Sequence, residues 1–205
     1  MEFTKKLPNW AWWAIGIAVI IAVAAIVVAT VRNRGPVLPP GLVEKRNAVA
    51  KIFDEASRVE DVDIRPLVKL EAQKDYRGAA ALMGTALAAN ASLAGLNESL
   101  VTVSAELAKL AVGVEPDPLG AKAVEAFGLL RELAQAEKKF YDDRRRLYET
   151  TRDYYAGLAA KKSLPIPENL RAAVEIVSAD LERAKNIHQQ FSAAMRAFDE
   201  AVGGK

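Results

Sequence analysis

Apolar residues fall along this chain in two different patterns. From Trp10 to Val31 they are continuous, WAWWAIGIAVIIAVAAIVVATV, 22 positions without a charge. At about 1.5 Å per residue the run predicts a helix of roughly 33 Å, enough to cross a hydrocarbon core about 30 Å thick. Trp10, Trp12 and Trp13 suit one membrane interface, and Arg32 and Arg34 the other. Beyond residue 41 the apolar positions recur at gaps of three and four, one face of a helix, over several long segments. Leu93, Leu96, Leu100, Val103, Leu107 and Leu110 make one such stripe. Leu119, Ala126, Leu133, Phe140, Leu147 and Tyr154 recur every seven residues, with Ala123, Leu130, Glu137, Arg144, Thr151 and Leu158 four further on, a six-heptad seam. A third stripe runs Leu170, Val174, Val177, Leu181, Ala184, His188, Phe191, Met195, Phe198, Val202.

Proline, glycine and capping residues punctuate these segments. RGPVLPPG, residues 34–41, forbids continuation of the first helix and makes a semi-rigid spacer. Asn47 to Val59 reads as a short helix, EDVD as an acidic break, and Pro66 as the start of another helix behind Asp63 as its cap. Asp117-Pro118 is a cap followed by a first-turn proline, and the last helix begins near Pro167. The short connections GVEPD and SLPIP make the three long helices antiparallel neighbours. The expected fold is all-α: a tail over 1–9, a transmembrane helix over 10–31, a Pro/Gly-rich linker over 32–41, and an elongated antiparallel helical bundle with coiled-coil-like seams over 42–205.

Composition narrows the chemistry. Lysine and arginine number 28 against 26 acidic residues, a net charge of +2 that gives no global case for nucleic acid. Without cysteine there is no disulfide, thiol nucleophile or cysteine metal site. One histidine excludes HExxH, and phosphate loops, nucleophile elbows and paired ExxH motifs are missing, so neither an enzyme nor a cofactor is expected. The segment FYDDRRRLYETTRDYY, residues 140–155, mixes five aromatics with four arginines. Tyr141, Tyr148 and Tyr155 repeat beside the seam and widen its buried face. Asp142 with Arg146 and Arg145 with Glu149, each at i,i+4, give the arginines local partners, which favours a bundle face over a nucleobase platform.

Several residues stand out against this pattern. His188 occupies a seam position, and a turn centred near residue 165 brings it toward Tyr141 and Arg144, with Glu137 one heptad before Arg144. Two readings stay open: a pH-sensitive pocket for a small ligand, or a polar layer that fixes helix register. Asn90-Ala91-Ser92 and Asn97-Glu98-Ser99 match the glycosylation triplet within a predicted helix. LVKLEAQKDYRGAAALMGTALAANAS, residues 67–92, resembles part of a tetratricopeptide repeat: Lys74-Asp75-Tyr76 stands at that family's turn, and Ala79, Leu82, Ala86 and Leu87 follow as its second helix would. The resemblance covers about one repeat, without a second copy at the 34-residue period, and implies a helix-turn-helix near residue 75.

The resulting expectation is a single-pass protein retained by a signal anchor, working as a protein-interaction or scaffolding module at the cell envelope. Its partners are the lipid bilayer and another protein, with a second copy of the chain as a candidate. The alternative is an extracytoplasmic sensor that binds a small ligand around His188, Tyr141 and Arg144 and signals through a partner subunit. Lys5 and Lys6 before the run resemble a signal anchor with the bundle outside, whereas Arg32, Arg34, Lys45, Arg46 and Lys51 behind it favour the cytoplasm. The extracytoplasmic placement is preferred.

Overall fold

A computed structural model describes residues 37–115 and 117–203, and these form five α-helices: α1 Leu42–Arg58, α2 Pro66–Ala72, α3 Tyr76–Ala111, α4 Asp117–Ala159 and α5 Leu170–Gly203. Among the described residues there is no strand, only an isolated antiparallel bridge between Val37 and Glu115. The all-helical expectation stands. The transmembrane helix expected over 10–31, with Trp10, Trp12, Trp13, Arg32 and Arg34, lies outside the described residues. The turn near residue 75 is present, between α2 and α3.

Two compact units make up the chain. Among the described residues the first takes 37–58, Thr102–Arg131 and 190–203. Its core holds Leu42 and Val49 from α1, Leu107 and Ala111 from α3, Ala123, Phe127 and Leu130 from α4, and Phe191, Phe198 and Val202 from α5. The sequence stripes therefore point inward here, and each buried Leu or Phe stabilises the fold by about 1.5–3 kcal/mol. The turn after α3 folds back on the first turn of α4, where Gly120 is buried: a Cβ at that position would come within 2.6 Å of the Val114 carbonyl oxygen.

The second unit takes Val59–Val101 and Glu132–Gln189. Within it α3 and α4 run antiparallel in a sustained register. Tyr76 stacks on Tyr155 with ring centroids 6.4 Å apart. Met83 and Tyr148 share a buried cluster with Ala86. Asn90 donates to the Tyr141 carbonyl, and Asn97 to that of Ala134, both at 3.0 Å. Each step moves seven residues up α3 and seven down α4. The stripe of α4 that meets α3 is thus Ala134, Tyr141, Tyr148 and Tyr155; Leu147 and Tyr154 on the neighbouring stripe are only half-buried.

The helix ends show where local chemistry wins. Asp63 does not cap α2: its carboxylate accepts the Arg65 backbone N–H at 3.0 Å and pairs with the Arg65 guanidinium, while Arg65 occupies the cap position. Asp75 caps α3, accepting the Gly78 N–H at 2.9 Å. α2 and α4 both end with a lysine in the left-handed region, Lys74 at φ 56° and Lys161 at φ 58°. In α4 the Lys162 N–H bonds back to the Gly157 carbonyl at 3.2 Å and the Lys161 N–H to that of Leu158 at 2.9 Å. That pattern favours glycine where Lys161 stands, because a Cβ is disfavoured in this conformation. Lys161→Gly is expected to raise stability by about 0.5–1 kcal/mol, read as an upward shift in thermal melting.

The proline-rich connection 160–169 returns along α4, with Leu164 lying over Gly157. Lys139 of α4 consequently pairs with Asp180 of α5. His188 lies two turns beyond Asp180 along α5, and so past the level of Lys139 and away from Arg144. A turn centred at residue 165 places it near residue 142; the returning connection moves the register.

Candidate functional site

The most elaborated polar cluster centres on Arg144. Its stem leaves α4 beside the aromatic stripe, and its guanidinium lies over Phe140 at 4.8 Å, Tyr141 at 5.3 Å and Tyr148 at 5.8 Å from the ring centroids. Nε donates to Asn90 Oδ1 at 2.5 Å, and Nη1 lies 3.8 Å from the Asp61 carboxylate in the segment between α1 and α2. Only 11% of the Arg144 side chain remains exposed, against 67% for Asp61. Asn90, 1% exposed, accepts from Arg144 while its amide N–H donates to the Tyr141 carbonyl. The interaction fixes which end of the amide is oxygen, since the guanidinium can only donate and the carbonyl only accept.

Burial dominates the electrostatics here. The Tyr141 hydroxyl is pushed well above its ordinary range by burial first and by the nearby Glu137 charge second, with Arg144 opposing. Tyr148 is raised by burial, and Tyr155 is pushed up to about 12 for the same leading reason. Glu137, half-buried one turn before Tyr141, has its carboxyl pushed up to about 7 by desolvation. His188 is half-buried too, and burial lowers its pKa.

Tyr141 and Arg144 are therefore brought together, Glu137 lies one turn away through its coupling to Tyr141, and His188 sits elsewhere along α5. The sequence pattern overlooked Asn90 and Asp61 as members of the cluster. Asn90 was visible only as a glycosylation triplet, yet Asn90 and Asn97 are both buried and hydrogen-bonded to α4, so neither offers a free amide to a glycosyl donor. The surrounding charges pair locally, though with partners shifted from the i,i+4 expectation: Arg146 with Asp143 at 3.5 Å, Arg145 with Asp142 at 3.9 Å, and Lys139 with both Asp143 and Asp180. Among the described residues no group of three or more His, Asp or Glu side chains is placed to hold a metal ion.

Chemically, the cluster is a cation with its planar face stacked on aromatics and its Nε committed to an internal acceptor. Such an arrangement orders α3, α4 and the Asp61 segment against one another. Arg144→Ala is expected to destabilise this unit by about 2 kcal/mol, because it removes the stacking contacts and strips Asn90 Oδ1 of its donor. All five tyrosines lie in this unit, so denaturation followed by tyrosine near-UV circular dichroism reads the loss directly. No protein-family model, curated protein or solved structure matches this chain.

Proposed function

We propose that the chain is a single-pass, membrane-anchored antiparallel helical bundle with coiled-coil-like seams, acting as a protein-interaction or scaffolding module at the cell envelope. The anchor is the uncharged run 10–31, and the stalk is the proline-rich segment behind it. The observation that carries the interaction role is the outward face of α3. Among the described residues, α3 is the one helix long and apolar enough to cross a membrane by length and composition, yet only 22% of its most apolar window is buried. From Gly78 to Asn97 it has no charged residue, and Ala81, Thr85, Ala88, Ser92 and Gly95 stand exposed on one side. A helix that commits Asn90 and Asn97 to α4 while showing small uncharged residues outward is suited to close packing against another helix.

Site-specific photocrosslinking at Ala88, in the full chain in its native membrane, tests this. The expected result is one adduct of defined mass, at twice the chain mass for a second copy or another value for a different protein. Absence of any adduct at Ala88 and at Thr85 overturns the interaction role. The sensor reading draws less support, since Arg144 is consumed by Asn90, Asp61 and three aromatic rings. Sidedness is read separately, by replacing Ser163 with cysteine in this cysteine-free chain and labelling intact cells with an impermeant maleimide. Labelling without lysis supports the extracytoplasmic placement; protection until lysis supports the cytoplasmic one.

A further inference from the structure

α1 is attached to the first unit in an unusual way. Only three of its residues are buried, Leu42, Arg46 and Val49, so a charged side chain occupies the middle of its inward stripe. The Arg46 side chain is 5% exposed, lies 5.6 Å from the centre of the Phe198 ring, and bonds through Nη2 to Asp199 Oδ1 at 3.0 Å. Asp199, on α5, is 13% exposed. The pair meets through a single contact, leaving Arg46 Nη1 and Asp199 Oδ2 both buried without a hydrogen-bond partner. Beside it Lys45 reaches Glu106 of α3 at 2.6 Å, a half-exposed ion pair of little weight.

We propose that α1 is a latch: a strap whose docking on the first unit turns on the Arg46–Asp199 pair, able to leave as one piece while α3, α4 and α5 keep their fold. The physical reason is the balance at the pair. Two desolvated charges are compensated only when their remaining donors and acceptors are also satisfied, and here one on each side is not. Burial accordingly lowers the Arg46 pKa and raises that of Asp199, each against the attraction of the other. Leu42 and Val49 supply the rest of the inward stripe. Within the first unit, α4 and α5 bring more apolar side chains to the core than α1 does, so α1 has less to lose on opening than they have. Opening uncovers Phe198, otherwise 0% exposed, with the Asp199 carboxylate next to it: an apolar and acidic groove on α5. The latch also lies first in line behind the 34–41 spacer, where any pull from the N-terminal side arrives.

Hydrogen exchange by mass spectrometry on the full chain in mild detergent tests the latch without reference to any partner. Asp199→Asn leaves the Arg46 charge buried beside a neutral group and should speed exchange across α1 about tenfold, with α4 amides unchanged. Arg46→Met combined with Asp199→Leu replaces the pair by apolar contact and should return α1 to wild-type protection or beyond. The latch is overturned if Asp199→Asn leaves α1 at the wild-type rate, or if α1 and α4 accelerate together, which would make the pair a part of the global fold. It is equally overturned if the double variant exchanges as fast as Asp199→Asn alone.

Discussion

Phe198→Ala should cost the first unit about 3–5 kcal/mol, the range for removing a large buried aromatic. Phe198 is 0% exposed and meets Phe127 edge-on, with ring centroids 5.7 Å apart and planes at 67°. It holds α5 to α4 through that contact and gives Arg46 of α1 an aromatic face. Truncation therefore opens a cavity between two helices and weakens the docking of a third. Urea denaturation followed at 222 nm would show the loss. Phe198→Leu, which keeps most of the volume, should cost markedly less. A cost below about 1 kcal/mol for the alanine variant would mean that this core does not centre on the Phe127–Phe198 contact.

The same residues show what the sequence made legible. Periodicity of three and four placed Leu107, Leu130, Leu133, Phe191, Phe198 and Val202 on inward faces, and they are buried or nearly so, because burial of one helical face is what such periodicity records. It could not choose between adjacent stripes of α4. Residues 140, 147 and 154 and residues 141, 148 and 155 both repeat every seven positions, and the choice belongs to α3, whose Tyr76, Met83, Asn90 and Asn97 meet the second set and its continuation. Register was likewise illegible. Counting from a symmetrical turn fails when the connection folds back over the helix it leaves, as Leu164 does over Gly157.

Long-range polar pairing was hidden for a related reason. Arg46 and Asp199 are 153 positions apart, and Arg144 and Asn90 are 54 apart. Arg144 stands out locally by its seam position, but nothing in a local window distinguishes Arg46 and Asp199 from solvated residues, and surface charge is the ordinary expectation for Arg and Asp. The aromatic and arginine-rich stretch illustrates the difference. Its local charges do balance, yet Arg144 differs from Arg145 and Arg146 only by heptad position, which turns it inward over three rings while they pair with Asp142 and Asp143 at the surface.

The pH dependence of the second unit should be set largely by Glu137. Burial raises its carboxyl from 4.5 to about 7, and no cation offsets the desolvation. A group raised on folding binds its proton more tightly in the folded chain, so its contribution to stability is complete below pH 4.5 and is lost as pH rises toward 7. At 1.36 kcal/mol per unit, discounted for its partial exposure, the loss is roughly 2–3 kcal/mol. His188 acts in the opposite sense: burial lowers its pKa, so its contribution is present above pH 6.5 and is lost as pH falls through the folded value. Asp143, held below the usual carboxylate range first by its bond to Lys139, likewise loses its contribution only in more acidic solution. Glu137→Gln isolates the first of these. The variant should match the wild type near pH 4.5 and exceed it by roughly 2–3 kcal/mol at pH 8, read from denaturation curves of the tyrosine near-UV signal at each pH. If the two proteins keep the same difference in stability at every pH, Glu137 ionises freely in the folded chain and its enclosure beside Tyr141 is wrong.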